Sequence, residues 1–173
     1  MKVYMIIAQK DFRDEELLIP KEILESKGFQ TIIASPDAGI CKGMLGAEVT
    51  ADIKISEIDI NSETKAIILI GGSNSPSLMK IDELGKKLEL AKEKEIIIGA
   101  ICLAPMVLAH FDIITGMSAT VYPTPESLKL LKDHKILYIP EYVVVEDWLV
   151  TANGPQSASA FGEALVHILE KEK

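Results

Sequence analysis

The chain has 173 residues, and 26 acidic against 18 basic side chains leave a net charge of −8. That balance argues against a nucleic-acid partner, which needs a basic face. Hydrophobic residues make up 48% and charged residues 25%, as expected of a single globular domain over residues 1–173 with a sizeable core.

The apolar run at 3–8 is too short for a signal-peptide core, and no run approaches the roughly 20 residues of a membrane span. The expectation is a cytoplasmic protein with no membrane contact. That first run suits a buried strand over 2–8. A helix is predicted over 14–27, with Leu17, Leu18, Ile23 and Leu24 toward the core, Pro20 loosening its first turns and Gly28 ending it. A second strand follows at 30–34. Residues 36–59 carry glycines and short alternating pieces, which predict a hairpin or excursion at the sheet edge. Cys41 falls there in a glycine-bounded stretch and reads as a loop thiol of no special reactivity. Strands at 65–70 and 95–101 flank a helix at 82–94, and a short helix is predicted at 103–110. Further on come a helix at 126–133, strands at 136–138, 142–145 and 148–151, and a terminal helix at 158–170 with Phe161, Leu165 and Leu169 on one face. Apolar runs alternating with amphipathic helices predict an α/β fold, a three-layer sandwich with a mainly parallel, flavodoxin-like central sheet.

The segment Gly99-Ala100-Ile101-Cys102-Leu103-Ala104-Pro105 carries the most chemical information. An apolar strand runs into a nucleophile-type residue flanked two positions away by alanines, as a nucleophile elbow at Cys102 requires where strand and helix approach closely. Pro105 suits the first turn of the helix. A lone buried cysteine is ordinarily a small hydrophobe; the strand–small–Cys–small–Pro context favours the nucleophile instead. A neighbouring strand ends in Gly71-Gly72. Carboxyl ends of parallel strands are where sites form in such sheets. Gly72 and Leu103 are therefore candidate backbone donors for an oxyanion, although Gly-Gly also serves as a plain turn. Glu16 reads from spacing alone as a first-turn glutamate favoured by the helix dipole.

Together these pieces resemble the ThiJ/PfpI superfamily, a branch with the class I glutamine-amidotransferase-like fold. The matching motifs are Phe12-x-x-x-Glu16-x-x-x-Pro20, Gly71-Gly72, Ala100-Ile101-Cys102-x-x-Pro105, Tyr122-Pro123 and Asn153-Gly154-Pro155, in order along nearly the whole chain. The resemblance implies Cys102 as nucleophile, Glu16 as a protonated carboxyl hydrogen-bonded to it, and Gly72 and Leu103 as anion-pocket donors. Gly71, Tyr122 and Pro155 become possible pocket residues. The resemblance also implies a homodimer or higher homo-oligomer and a glyoxalase- or deglycase-type action on small reactive carbonyls. No cofactor or metal is implied, since no coordinating histidine–cysteine cluster is present. Two alternatives stand: a non-catalytic redox-sensing or stress-protective protein without a substrate, and a PfpI-type intracellular cysteine peptidase or amidase. The second is disfavoured because Leu103 stands where those peptidases carry histidine, and Tyr122 stands where other branches carry one. His110, His134 and His167 read as structural or solvated. The helix start and a protonated Glu16 lead to the expectation of a Cys102 pKa below the ordinary value of about 8.5, with the carboxylate within about 2.6–3.5 Å of the sulfur.

Overall fold

The computed structural model describes residues 1–171. The chain begins with β1 (Lys2–Ile6), β2 (Lys10–Phe12), α1 (Asp14–Ser26), β3 (Gln30–Ser35), β4 (Gly39–Gly43), β5 (Glu48–Ala51), β6 (Ile53–Lys54) and β7 (Thr64–Leu69). It continues with α2 (Asp82–Glu93), β8 (Ile97–Ile101), α3 (Pro105–His110), β9 (Ser118–Ala119), α4 (Pro125–Asp133), β10 (Leu137–Tyr138), β11 (Val143–Glu146), β12 (Leu149–Ala152) and α5 (Ala158–Lys171). The central sheet has the order β11-β12-β8-β7-β1-β3-β6. Every pairing in it is parallel except that of β11 with β12.

Strand side chains alternate between faces, and the sequence supplies apolar residues to both. Val3 and Met5 of β1 pack with Leu17 and Leu24 of α1 and with Phe161, Leu165 and Leu169 of α5. Tyr4 and Ile6 face the other way, onto Leu84 and Leu88 of α2, Val107 and Leu108 of α3, and Leu131 of α4. The result is the expected three-layer α/β fold. At Gly99 in β8, an added Cβ would stand 3.1 Å from both Leu165 Cδ2 and Phe161 Cζ, so the bare backbone lets α5 lie close against the sheet.

Several expectations need correction. Leu18 is 43% exposed. The buried stripe of α1 runs instead through Leu17, Pro20 and Leu24, spaced by three and four residues as one helix face demands. Pro20 also sits beside α5, where an added Cβ on Gly162 would come within 3.1 Å of its Cα. Helix α3 starts at Pro105, two residues later than expected, because 102–104 form the turn before it. The excursion after β3 builds a separate three-stranded sheet, β2-β4-β5. Cys41 lies on β4 within that sheet, wholly buried, its sulfur accepting a 3.4 Å contact from Gln9 Nε2, so it is no loop thiol.

This small sheet is tied to α1 by a buried acidic side chain. Asp14 is 6% exposed, and its two oxygens accept the N–H groups of Leu45 at 2.8 Å and Ala47 at 2.7 Å. Those donors belong to the β4–β5 turn, which also carries Met44. Hydrogen bonds to an ionised acceptor are worth about 1.5–3 kcal/mol, and stranding their buried donors adds to the loss. Asp14→Ala is expected to destabilise the protein by on the order of 2–3 kcal/mol in urea denaturation; a change below about 0.5 kcal/mol would show that the turn is held by other contacts.

Candidate active site

Strand pairing aligns Leu69 of β7 with Ala100 of β8. Two residues further along each strand come Gly71 and Cys102, which therefore emerge side by side at the carboxyl edge of the sheet. Cys102 has φ +64°. Six described non-glycine residues have positive φ; five are exposed, and Cys102 alone is buried. A left-handed backbone at such a residue costs on the order of 1–3 kcal/mol and persists only where the surroundings fix it. Here they do. Cys102 N donates to Ala152 O at 2.9 Å, Cys102 O accepts from Tyr122 N at 2.8 Å, and Ala104 N donates to Ile101 O at 3.1 Å. Ala100 and Ala104 are fully buried, leaving no room for larger side chains beside the turn.

Glu16 reaches the same point from the first turn of α1. It is 0% exposed. Gly71 is the spacer that admits it: an ideal Cβ there would lie 2.5 Å from Cys102 Cβ and 2.6 Å from Glu16 Oε2. The two side chains thus meet over a bare Cα. The Cys102 thiol and the Gly71 N–H both act on the Glu16 carboxyl as hydrogen-bonding neighbours, although neither oxygen has a partner in strict hydrogen-bond geometry. Gly71 itself lies behind the pair and not in the cleft wall, contrary to its expected place as a pocket residue.

Burial dominates the electrostatics. It pushes the Glu16 carboxyl up to about 7, opposed in part by the Cys102 thiol, the Gly71 N–H and the Arg13 charge. Burial also pushes the Cys102 thiol up to about 12, with the Glu16 charge adding to the rise; the N–H groups of Gly72 and Leu103 pull the other way. This corrects the expectation of a lowered thiol pKa. The donors favouring the thiolate are present, but removal from water outweighs them. Burial thus holds both members of the pair toward their neutral forms.

The pair opens onto a cleft of about 600 Å³. Cys102, Glu16, Gly72, Leu103, Tyr122 and Pro155 all contribute to its wall. Sequence reasoning missed Arg13, Met44 and Ser73, which line it as well. Arg13 precedes α1 as its extended N-cap residue, so no helical spacing announces its place in the cleft. Met44 arrives through the β4–β5 turn, where its sulfur accepts the Ser73 N–H at 3.3 Å; nothing local in the sequence announces this. No histidine lines the cleft. His110 and His167 are exposed, and His134 pairs through Nδ1 with Asp112 at 2.7 Å. Among the described residues no group of three or more potential ligands could hold a metal, and no helix is long and apolar enough to cross a membrane.

Fold and site together define an α/β protein with a buried cysteine–glutamate pair at the carboxyl edge of a parallel sheet. The chain belongs to the DJ-1/PfpI family, whose model matches residues 1–168. It is 39% identical to an uncharacterized protein of Methanocaldococcus jannaschii, over 98% of this chain and 83% of that one. It is 25% identical to the glutathione-independent glyoxalase DJR-1.2 of Caenorhabditis elegans, over 96% of this chain and 87% of that protein. The crystal structure of a ThiJ/PfpI domain protein from Brachyspira murdochii superposes with a TM-score of 0.92 at 26% identity, covering 98% of this chain and 96% of that one.

Two outcomes follow from this geometry. Because φ is +64° at Cys102, Cys102→Gly is expected to be more stable than Cys102→Ala by about 1 kcal/mol, reversing the usual order of these residues; equal thermal denaturation midpoints would remove the strain argument. The second concerns Glu16, whose folded pKa is raised from 4.5 to about 7. Below 4.5 the carboxyl is neutral in both folded and unfolded chains, and the full stability is present. Between 4.5 and 7 the unfolded chain ionises first, so stability falls as pH rises through the folded pKa. Glu16→Gln never ionises, so its stability relative to wild type is expected to grow over that window by on the order of 3 kcal/mol, read from denaturation at pH 4.5 and 7.5. A difference independent of pH would contradict the raised pKa.

Proposed function

We propose that the protein is a cysteine-dependent enzyme acting on small reactive carbonyl compounds, of the glyoxalase or deglycase type, with Cys102 as nucleophile at a strained elbow and Glu16 as general base. The observation that carries this reading is the buried pair itself. A carboxyl with pKa about 7 packs against a strained cysteine at the floor of a cleft, and a general base works best when its pKa lies near the working pH. The glyoxalase activity named for the C. elegans relative adds support.

In this reading the Glu16 carboxylate takes the thiol proton as Cys102 Sγ bonds to the carbonyl carbon. The carbonyl π pair becomes an alkoxide, received by the Gly72 and Leu103 N–H groups, which already act on the sulfur and have the character of an oxyanion hole. Glu16 then returns the thiol proton to the alkoxide, giving a hemithioacetal and a free carboxylate. With a 2-oxoaldehyde, that carboxylate takes the proton from the former aldehyde carbon and delivers it to the neighbouring carbonyl carbon, while the hydroxyl proton passes to the neighbouring oxygen. The product is a thioester. Water cleaves it to a 2-hydroxy acid and regenerates the thiol, so the net change is addition of one water. The raised thiol pKa is no obstacle, because proton transfer accompanies attack.

The other readings draw less support. Cysteine oxidation follows thiolate character and exposure, and this thiol is buried with its pKa pushed up. Amide cleavage needs a proton for a poor leaving group, and no imidazole lines the cleft.

Conversion of methylglyoxal to lactate tests the proposal. Wild type is expected to turn over with kcat/KM rising through a pKa of about 7. Cys102→Ala should lose all turnover above background, and Glu16→Leu should lose about 10²–10⁴-fold. Undiminished turnover in Cys102→Ala would overturn the reading.

A further inference from the structure

Arg13 is the single arginine among 18 basic residues, and it lines the reactive cleft. It is also the sole cationic side chain in the described cleft wall. Its guanidinium is not free to wander. Nε donates to Glu15 Oε2 at 2.7 Å, and Nη2 approaches Glu15 Oε1 at 3.4 Å, while the backbone N–H of Arg13 donates to Gly71 O at 2.9 Å. Glu15 itself is not part of the cleft wall. The arrangement holds one edge of the fork with a carboxylate outside the cleft. It leaves Nη1 and the second Nη2 hydrogen, the end-on edge that matches an oxyanion with two parallel hydrogen bonds. The Arg13 charge also acts directly on Glu16 and Cys102, so it lies within electrostatic reach of the reacting atoms.

A neutral dicarbonyl has no use for such a group. We propose that Arg13 is a specificity-determining residue, and that the substrate class is a small carbonyl compound that also carries an oxyanion, a carboxylate or a phosphate. This rests on the reading of Cys102 as the nucleophile of the cleft. It goes beyond that reading by assigning the charge of the substrate. In a protein of net charge −8, a cleft without a cation would repel such a compound; one fixed guanidinium reverses the sign locally.

The test uses alkylation of Cys102, followed by mass spectrometry of its peptide, with two reagents of nearly equal size. Iodoacetate carries the negative charge, and iodoacetamide does not. The ratio of the two rates reports the field and donors of the cleft without requiring turnover, so it stays readable even if no aldehyde is ever converted. In Arg13→Gln the iodoacetate-to-iodoacetamide ratio is expected to fall five- to tenfold, the ratio cancelling any change in thiol reactivity common to both reagents. Arg13→Lys should retain most of the ratio, and 0.5 M KCl should lower it in wild type by screening. An unchanged ratio in Arg13→Gln, or an equal fall with both reagents, would overturn the proposal, the second outcome indicating a purely structural role. Protection of wild-type Cys102 from iodoacetamide by formate or by inorganic phosphate, lost in Arg13→Gln, then tells which oxyanion the fork accepts. Failure of methylglyoxal turnover with the ratio intact would count against the catalytic reading alone.

Discussion

A carboxyl group withdrawn completely from water, with neither oxygen in good hydrogen-bond geometry, is an unfavourable thing for a fold to contain. Glu16 is kept there by everything around it. The parallel register of β7 and β8 delivers Gly71 and Cys102 side by side, and the missing side chain of Gly71 provides the space in which carboxyl and thiol meet. Two strands, one helix start and one glycine must all be in place before this contact exists. The cleft, its electrostatics and the conformation of Cys102 are arranged around that single approach.

The site concentrates local conflicts that the rest of the molecule avoids. A buried acid, a buried left-handed cysteine and two backbone N–H groups acting on the sulfur meet at one point, from segments far apart in the chain. Each would be selected against in a structural core. Their coincidence at the carboxyl edge of a parallel sheet, where such folds place their chemistry, is the strongest physical argument for function. The two apolar layers, built from strictly alternating strand residues, supply the stability that carries these costs.

The charge balance of the pair shows how burial overrules local cues. Sequence reasoning weighed the helix start and neighbouring donors, both of which favour a thiolate, and they are indeed present. It had no means to weigh desolvation, which depends on how completely α1, β7 and β8 close around the sulfur. Once that closure is known, desolvation holds both the thiol and the carboxyl toward their neutral forms. The same blindness applies to Asp14 and Met44. Asp14 reads as an ordinary first-turn acid, yet it is buried to hold the β4–β5 turn, and that turn carries Met44 to the mouth of the cleft.

The sequence by itself determined the layered parallel architecture, because periods of two and of three to four in apolar residues are local properties that survive without tertiary context. It also located Cys102, through the small residues that a tight strand-to-helix turn demands at Ala100 and Ala104, and the paired glycines at 71 and 72. Only the tertiary structure decided which face of α1 is buried, leaving Leu18 outside, and that Glu16 is an interior acid and not a solvated helix-start residue. It alone placed Arg13 beside the reactive pair and set both pKa values. These depend on the distance and closure between segments far apart in the chain, and no pattern within one segment encodes how completely another will cover it.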